Sequence, residues 1–274
     1  MSKKLNKILY GGKKIVERTL SDFIDSFLFL LYFSTPPYTT KVLSVFAPEF
    51  KTSNLNMQIS RLYKKGYISK IRKGKSVFVS LVENFWKIKE NSIEEKNNKH
   101  KKKWDKKWRL LIYDIPEEKK RRRNRLRRYI KDLGYGKVQD SCWVSCYDFG
   151  DQLYRFARQE NILDYLCIYE GKFFIGKKID DMVEEIWQLK KLHKRYDELI
   201  KNCSEAIETV RTRDAEASQW YSLYYYLYKD YIAILKDDPC LPVEFLKGRS
   251  RHNAESIFKK FVSCISKELK GFQP

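Results

Sequence analysis

Six arginines fall within eight residues, Arg121 to Arg128, and they begin seven positions after an aspartate, Asp114. Guanidinium groups at this density suit phosphate oxygens, because each presents a planar fork of donors. The carboxylate just upstream raises the question whether this stretch holds a phosphodiester or cuts it. A single carboxylate makes a poor site for a hard cation such as Mg²⁺, which wants several oxygen ligands. No second acid with an obvious purpose stands at the neighbouring strand ends. Asp114 also precedes a proline and a helix start, where aspartate commonly accepts a local hydrogen bond. The arginines, Arg121, Arg125 and Arg128 foremost, leave three readings open: contact with DNA phosphate, an interface with acidic partners, or a solvated face.

A second group could read nucleic acid directly. Ser53, Asn56, Ser60, Arg61 and Lys64 recur at helical spacing on the side opposite Leu55, Ile59 and Leu62. That side is polar and basic and carries no acid, which suits base edges and phosphates alike. Arg72, Lys73 and Lys75 cluster around Gly74 in "RKGKS". A third group, Tyr224, Tyr228, Arg249 and His252, could line a site for an acidic small-molecule effector, since tyrosine packs its ring while its hydroxyl binds a polar group. The same tyrosines fit a core helix or a dimer interface, and the basic residues fit a surface loop. The six cysteines form no C-x-x-C and the three histidines are scattered. We therefore expect no metal site, no disulfide framework and no cofactor, with free thiols in a reducing compartment.

The formal charge of +21 on 274 residues selects a polyanion as partner, and nucleic acid before an anionic membrane. Its distribution is uneven. Residues 1–75 hold 15 Lys/Arg against 4 Asp/Glu, residues 117–131 hold 9 against 2, and residues 132–274 are close to neutral. Double-stranded DNA should therefore meet the first half.

These residues need elements to position them. Thr19 or Ser21 can cap a helix whose apolar face is Leu20, Phe23, Ile24, Phe27, Leu28 and Leu31. "STPPYTT" breaks it. A short helix over 41–46 and a third helix from Thr52 or Ser53 follow. "GYISKIRKGKSVFVSL" alternates as a β-hairpin with a cationic tip. Three helices and a basic hairpin predict a winged helix-turn-helix over 1–86, with the third helix in the major groove and the wing on the backbone. A helical domain with an ordinary basic face, or a protein-interaction module, would share this pattern. Residues 87–107 read as a basic linker. Residues 108–180 run β-α-β-β-α-β, a ferredoxin-like order suited to dimerisation, with "WRLLIY" as a central strand covered on both faces. Residues 181–274 read as an all-α domain that could bind an effector, beginning with one stripe of Met182, Ile186, Leu189, Leu192 and Tyr196. The fold class is α+β and multidomain. The longest apolar run, Phe27 to Phe33, is too short to span a bilayer. We expect no membrane association, no leader and a cytoplasmic location.

Three stretches carry resemblances. "RLYKKGYISKIRKGK" looks like bacterial winged-helix regulators. "LLIYDIPEEKKRRRNRLRRYIKDLGYGKVQDSCWVS" is similar to the small nuclease subunit of the CRISPR adaptation complex, and Asp114 matches its metal-binding aspartate. That resemblance implies Mg²⁺ or Mn²⁺ at Asp114 if the chain is a nuclease, or a scaffold like the adaptation complex. The whole layout, with "DDPCLPVEFLKGRSRHNAESIFKKF", resembles the PaaX-type transcriptional repressors, through Asp238, Pro239, Leu241, Pro242, Glu244, Leu246 and Ala254. The family's tryptophan and glycine are absent near Ser250 and His252. This third resemblance implies a repressor that binds an inverted repeat as a homodimer and answers to a small-molecule effector, an aryl-CoA thioester in the best-known member.

Overall fold

The computed structural model describes residues 19–33, 38–82, 104–172, 176, 178–212, 215–245 and 250–271. Arg249 and residues 83–103, which take in most of the linker expected over 87–107, lie outside the described residues. In chain order the first elements are α1 (Leu20–Phe33), β1 (Tyr38–Thr39), α2 (Val42–Phe46), α3 (Thr52–Lys64), β2 (Ile68–Lys73) and β3 (Ser76–Leu81). Next come β4 (Trp108–Tyr113), α4 (Lys120–Asp132), β5 (Gly136–Gln139), β6 (Cys142–Ser145), α5 (Gly150–Gln159) and β7 (Leu166–Gly171). The last are α6 (Ile179–Trp187), α7 (Leu189–Thr212), α8 (Ala217–Asp237) and α9 (Ser250–Gly271). Among the described residues no helix is long and apolar enough to cross a membrane.

The chain is α+β and divides into two compact units. The first takes the described residues up to Val82 together with 194–234 and 250–271; the second takes 104–193 and 235–245.

In the first unit a reciprocal cap starts α1. The Asp22 N–H donates to Thr19 Oγ1 at 3.1 Å, and the Thr19 N–H and hydroxyl donate to the Asp22 carboxylate at 3.3 and 2.9 Å. The Thr19 bonds hold the Asp22 carboxyl below its ordinary range. Phe23, Ile24, Phe27, Leu28 and Leu31 are buried, as their spacing predicts. The end of α3 follows from Gly66, whose φ of +70° is costly for any residue with a Cβ. There the Gly66 N–H donates to Tyr63 O and the Tyr67 N–H to Leu62 O, both at 3.0 Å, which turns the chain straight into β2. β2 and β3 form a hairpin closed by Gly74 and Lys75, with Lys73 opposite Ser76 and Gly74 at φ +60°. β1 pairs antiparallel with β3, so the sheet order is β1-β3-β2.

The core of this unit is shared between the two ends of the chain. Tyr221 of α8 stacks on Phe46 of α2 with centroids 5.0 Å apart and lies 5.3 Å from Phe23 of α1. Its hydroxyl is 2.9 Å from Ser26 Oγ, and the Tyr224 hydroxyl donates to the Ser26 carbonyl at 2.7 Å. The hydroxyls of Tyr38 in β1 and Ser266 in α9 are 2.9 Å apart. Tyr231 stacks on Phe258 at 4.4 Å, which joins α8 to α9.

The second unit has a four-stranded antiparallel sheet of order β5-β6-β4-β7. β4 is central, but the expectation that it is covered on both faces fails at Ile112, which is 40% exposed. Its neighbours across the sheet are Cys142 and Cys167, and neither is buried. The stripe expected to run unbroken from Met182 to Tyr196 is divided at Gln188. That residue takes a left-handed φ of +51°, and its N–H closes α6 on Glu184 O at 2.8 Å. The break frees Trp187 to stack on Trp108 at 6.2 Å and to donate its indole N–H to Gly134 O at 3.2 Å.

The "D-P-x-L-P" segment has a local account within this unit. Asp238 is buried and its carboxylate accepts the Cys240 N–H at 2.7 Å, an Asx-type turn that holds Cys240 at φ +57°. Phe245 then lies 4.9 Å from Trp104 and 5.5 Å from Trp108. A Cβ on Gly134 would come within 2.7 Å of Pro239 O, and a Cβ on Gly136 within 2.1 Å of Ile186 Cγ2. The glycines of "GYG" are therefore needed where two backbone segments and a helix converge.

Candidate nucleic-acid interface

Residues 51–82 contain eight Lys/Arg and no Asp/Glu. They form α3, its turn and the β2–β3 hairpin. Leu55, Ile59 and Leu62 point inward, and that fixes the outward side of α3. Ser53, Asn56, Ser60, Arg61 and Lys64 are all exposed there. At the hairpin tip Arg72, Lys73 and Lys75 are exposed too, and Arg72 Nε donates weakly to Gly74 O at 3.4 Å. None of the eight cations forms an ion pair among the described residues. The structure thus places the eight predicted α3 and hairpin residues on open surface, with their cations unpaired among the described residues.

Residues that the sequence reading passed over join this surface. Lys70, in β2, reaches Ser60 Oγ at 3.4 Å and lies over the Tyr63 ring at 5.1 Å, so it braces the hairpin against α3. Met57, Tyr63 and Ile71 are 44%, 52% and 52% exposed. Such apolar groups beside polar ones can contact a thymine methyl. Their signal in the sequence was weak, because apolar residues on a helix or a strand read first as core.

The arginine helix is different. Arg123 donates to Ile115 O at 3.2 Å and to Glu117 at 2.5 Å. Arg127 donates to the Tyr113 hydroxyl at 2.9 Å and to Asp140 O at 3.3 Å. Arg122 reaches Asn161 O at 3.5 Å, and Arg125 pairs with Glu160. Four of the six arginines therefore tie α4 to the loops around it. Arg121 and Arg128, two helical turns apart, have no partner among the described residues. The backbone N–H of Asp114 donates to Tyr165 O at 3.0 Å and its side chain is exposed. No group of three or more His, Cys, Asp or Glu is placed to hold a metal ion among the described residues.

Three of the four effector candidates lie among the described residues. Tyr224 is fully buried in the core with its hydroxyl on Ser26, Tyr228 is partly buried and stacked 6.0 Å from Tyr224, and His252 is exposed. Arg249 lies outside the described residues. Burial pushes the Tyr224 and Tyr228 hydroxyls well above the usual phenol range, so both stay protonated donors.

Comparison with known proteins gives two family matches. Residues 101–183 match the PaaX protein central Cas2-like domain, and residues 187–272 match the PaaX-like protein C-terminal domain. Together they span more than half of the chain. No curated protein matches. Among solved structures, the uncharacterized protein Rv0674 from Mycobacterium tuberculosis is similar at 14% identity and a TM-score of 0.56, over 98% of this chain and 96% of that one. At that identity the likeness is one of fold alone.

Proposed function

This chain belongs to the PaaX-type family, and from that premise we propose that it is a DNA-binding transcriptional regulator, acting as a repressor. In this reading the first unit carries a winged helix-turn-helix. α2 and α3 are its helix-turn-helix, α3 lies in the major groove, and the β2–β3 hairpin is the wing on the phosphate backbone. The order β1-β3-β2 and the succession of helix, strand, two helices and hairpin support it. The observation that carries it is the acid-free stretch 51–82, whose cations form no ion pair among the described residues. Basic residues there supply affinity, and Asn56, Ser60 and Arg61 supply sequence choice.

The second unit supports a ferredoxin-like reading, since β5-β6-β4-β7 is the strand order of a β-α-β-β-α-β fold. It serves as the dimerisation platform, so two copies address an inverted repeat with half-sites one or two helical turns apart. A small-molecule effector releases the repressor. In this reading Arg121 and Arg128 contact DNA phosphate as well.

The test is binding of the full chain to labelled duplex at several ionic strengths, beside the Arg61→Ala and Lys73→Ala variants. Affinity that falls steeply with salt, and falls further in both variants, supports the reading. Binding that ignores both substitutions overturns it.

A further inference from the structure

α2 has only five residues, Val42–Phe46, and so short a helix cannot hold its own place. Its posture depends on what packs against Phe46. One side of that ring meets Tyr38, whose centroid is 6.1 Å away, and Tyr221 stacks on it at 5.0 Å with 21° between the planes. Tyr221 also lies 5.3 Å from Phe23, and Phe23 lies 5.9 Å from Phe50, which stands just before α3. The ring of Tyr221 therefore reaches two of the contacts that bear on α3, beside its packing on β2: α2 in front of it, and the α1 contact to Phe50 just ahead of it. The hydroxyl fixes the ring in turn. It lies 2.9 Å from Ser26 Oγ, and the Ser26 hydroxyl itself donates to Phe23 O at 2.9 Å. Phe23, Ser26, Phe46 and Tyr221 are all buried.

We propose that Tyr221 is a positioning residue for DNA reading: the carboxy-terminal helix α8 sets the angle at which α3 meets the groove, and the Tyr221–Phe46 stack is the contact through which it does so. This rests on the reading of α3 as the groove-binding helix. Base-edge hydrogen bonds need correct placement within a fraction of an ångström, whereas phosphate contacts by flexible lysines do not. Disturbing Tyr221 should then cost selectivity before it costs general affinity for duplex.

The experiment uses the full chain and compares its affinity for a selected duplex with that for a scrambled duplex of equal length. Tyr221→Leu removes the stack, and Tyr221→Phe removes only the hydroxyl's bonds to Ser26 Oγ and, at 3.5 Å, Phe23 O. The melting temperature of each variant is recorded alongside, with binding measured well below it. We expect the selected-to-scrambled affinity ratio to drop about tenfold or more in Tyr221→Leu and about threefold in Tyr221→Phe, with scrambled-duplex affinity unchanged. A folded Tyr221→Leu variant that keeps the wild-type ratio overturns the proposal. If that variant does not fold, Tyr221→Phe decides, and an unchanged ratio there overturns it equally. Arg61→Ala separates the two levels of the argument. If it weakens binding while both Tyr221 variants keep their selectivity, the positioning role fails and the DNA reading stands. If it has no effect, the DNA reading itself fails.

Discussion

The Tyr224 hydroxyl donates to the main-chain carbonyl of Ser26 at 2.7 Å, across 198 positions of sequence. It joins the middle of α8 to the middle of α1, and it lies in a core that also contains Phe23, Phe27, Tyr38, Phe46 and Tyr221. The elements proposed to read DNA are thus not closed without α8 and α9. Removing those helices would bare several aromatic side chains, each costing about 1.5–3 kcal/mol to expose. A fragment ending at Asn91 is expected to lack a cooperative thermal transition. Circular dichroism on that fragment checks this, and a sharp transition like that of the full chain would contradict it.

The single substitution Tyr224→Phe is a milder version of the same test. It removes one buried hydrogen bond while keeping the ring, so a loss of about 1 kcal/mol is expected. Urea unfolding of the two proteins measures it. No loss would show that the hydroxyl is equally well served elsewhere.

Asn56 and Lys73 should behave differently, because the proposed function sets Asn56 against base edges and Lys73, at the hairpin tip, against phosphate. Asn56→Ala is expected to lose about 1–3 kcal/mol of discrimination at one base position. Lys73→Ala should weaken binding to all duplexes alike and flatten the logarithmic salt slope by about 1. Titrations on single-position duplex variants at several salt concentrations separate the two patterns.

Gly136 is surrounded by α6, with Ile186 Cγ2 2.1 Å and Trp187 Cε2 2.5 Å from the position of an added Cβ. Neither side chain can withdraw easily, since Trp187 is held by Trp108 and by its bond to Gly134 O. Gly136→Ala should therefore destabilise the protein by about 1–3 kcal/mol through overpacking. The denaturation midpoint reads this out. At Gly66 no atom lies within 4 Å of an added Cβ, so only the left-handed backbone opposes Gly66→Ala, and its cost should be smaller.

Acid should loosen the start of β4. Asp105 accepts two hydrogen bonds from the buried Arg109 guanidinium, and that bonding holds its carboxyl down at about 2. A folded-state value below the ordinary 3.8 means that this contribution is complete above about pH 4 and disappears as pH falls towards 2. Asp105 is 46% exposed, so screening by water keeps the effect modest. Asp105→Asn should flatten the pH dependence of stability between pH 4 and 2. Identical dependence in both proteins would contradict the assignment.

Much of this was legible in the sequence, and the reasons differ from place to place. The polar side of α3 was readable because Leu55, Ile59 and Leu62 fix which way the helix faces, and the hairpin because Gly74 marks its turn. The capping residue Thr19 was readable from its type and from the apolar run after it. The role of the α4 arginines was not. Whether Arg123 reaches Ile115 O or solvent depends on a loop whose course no local pattern sets. The break at Gln188 was invisible as well, because Met182, Ile186, Leu189 and Leu192 keep a helical period across it. The bond between α1 and α8 left one trace, Ser26, a lone hydroxyl on an otherwise apolar face that had to find a partner. Sequence spacing could not say that the partner would be Tyr221.

Selection from a pool of random duplexes by the full-length chain, followed by footprinting, tests the central claim most directly. The account predicts enrichment of one motif, arranged as an inverted repeat with half-sites one or two helical turns apart, and loss of that enrichment in Asn56→Ala. A pool that stays random at every ionic strength would contradict it.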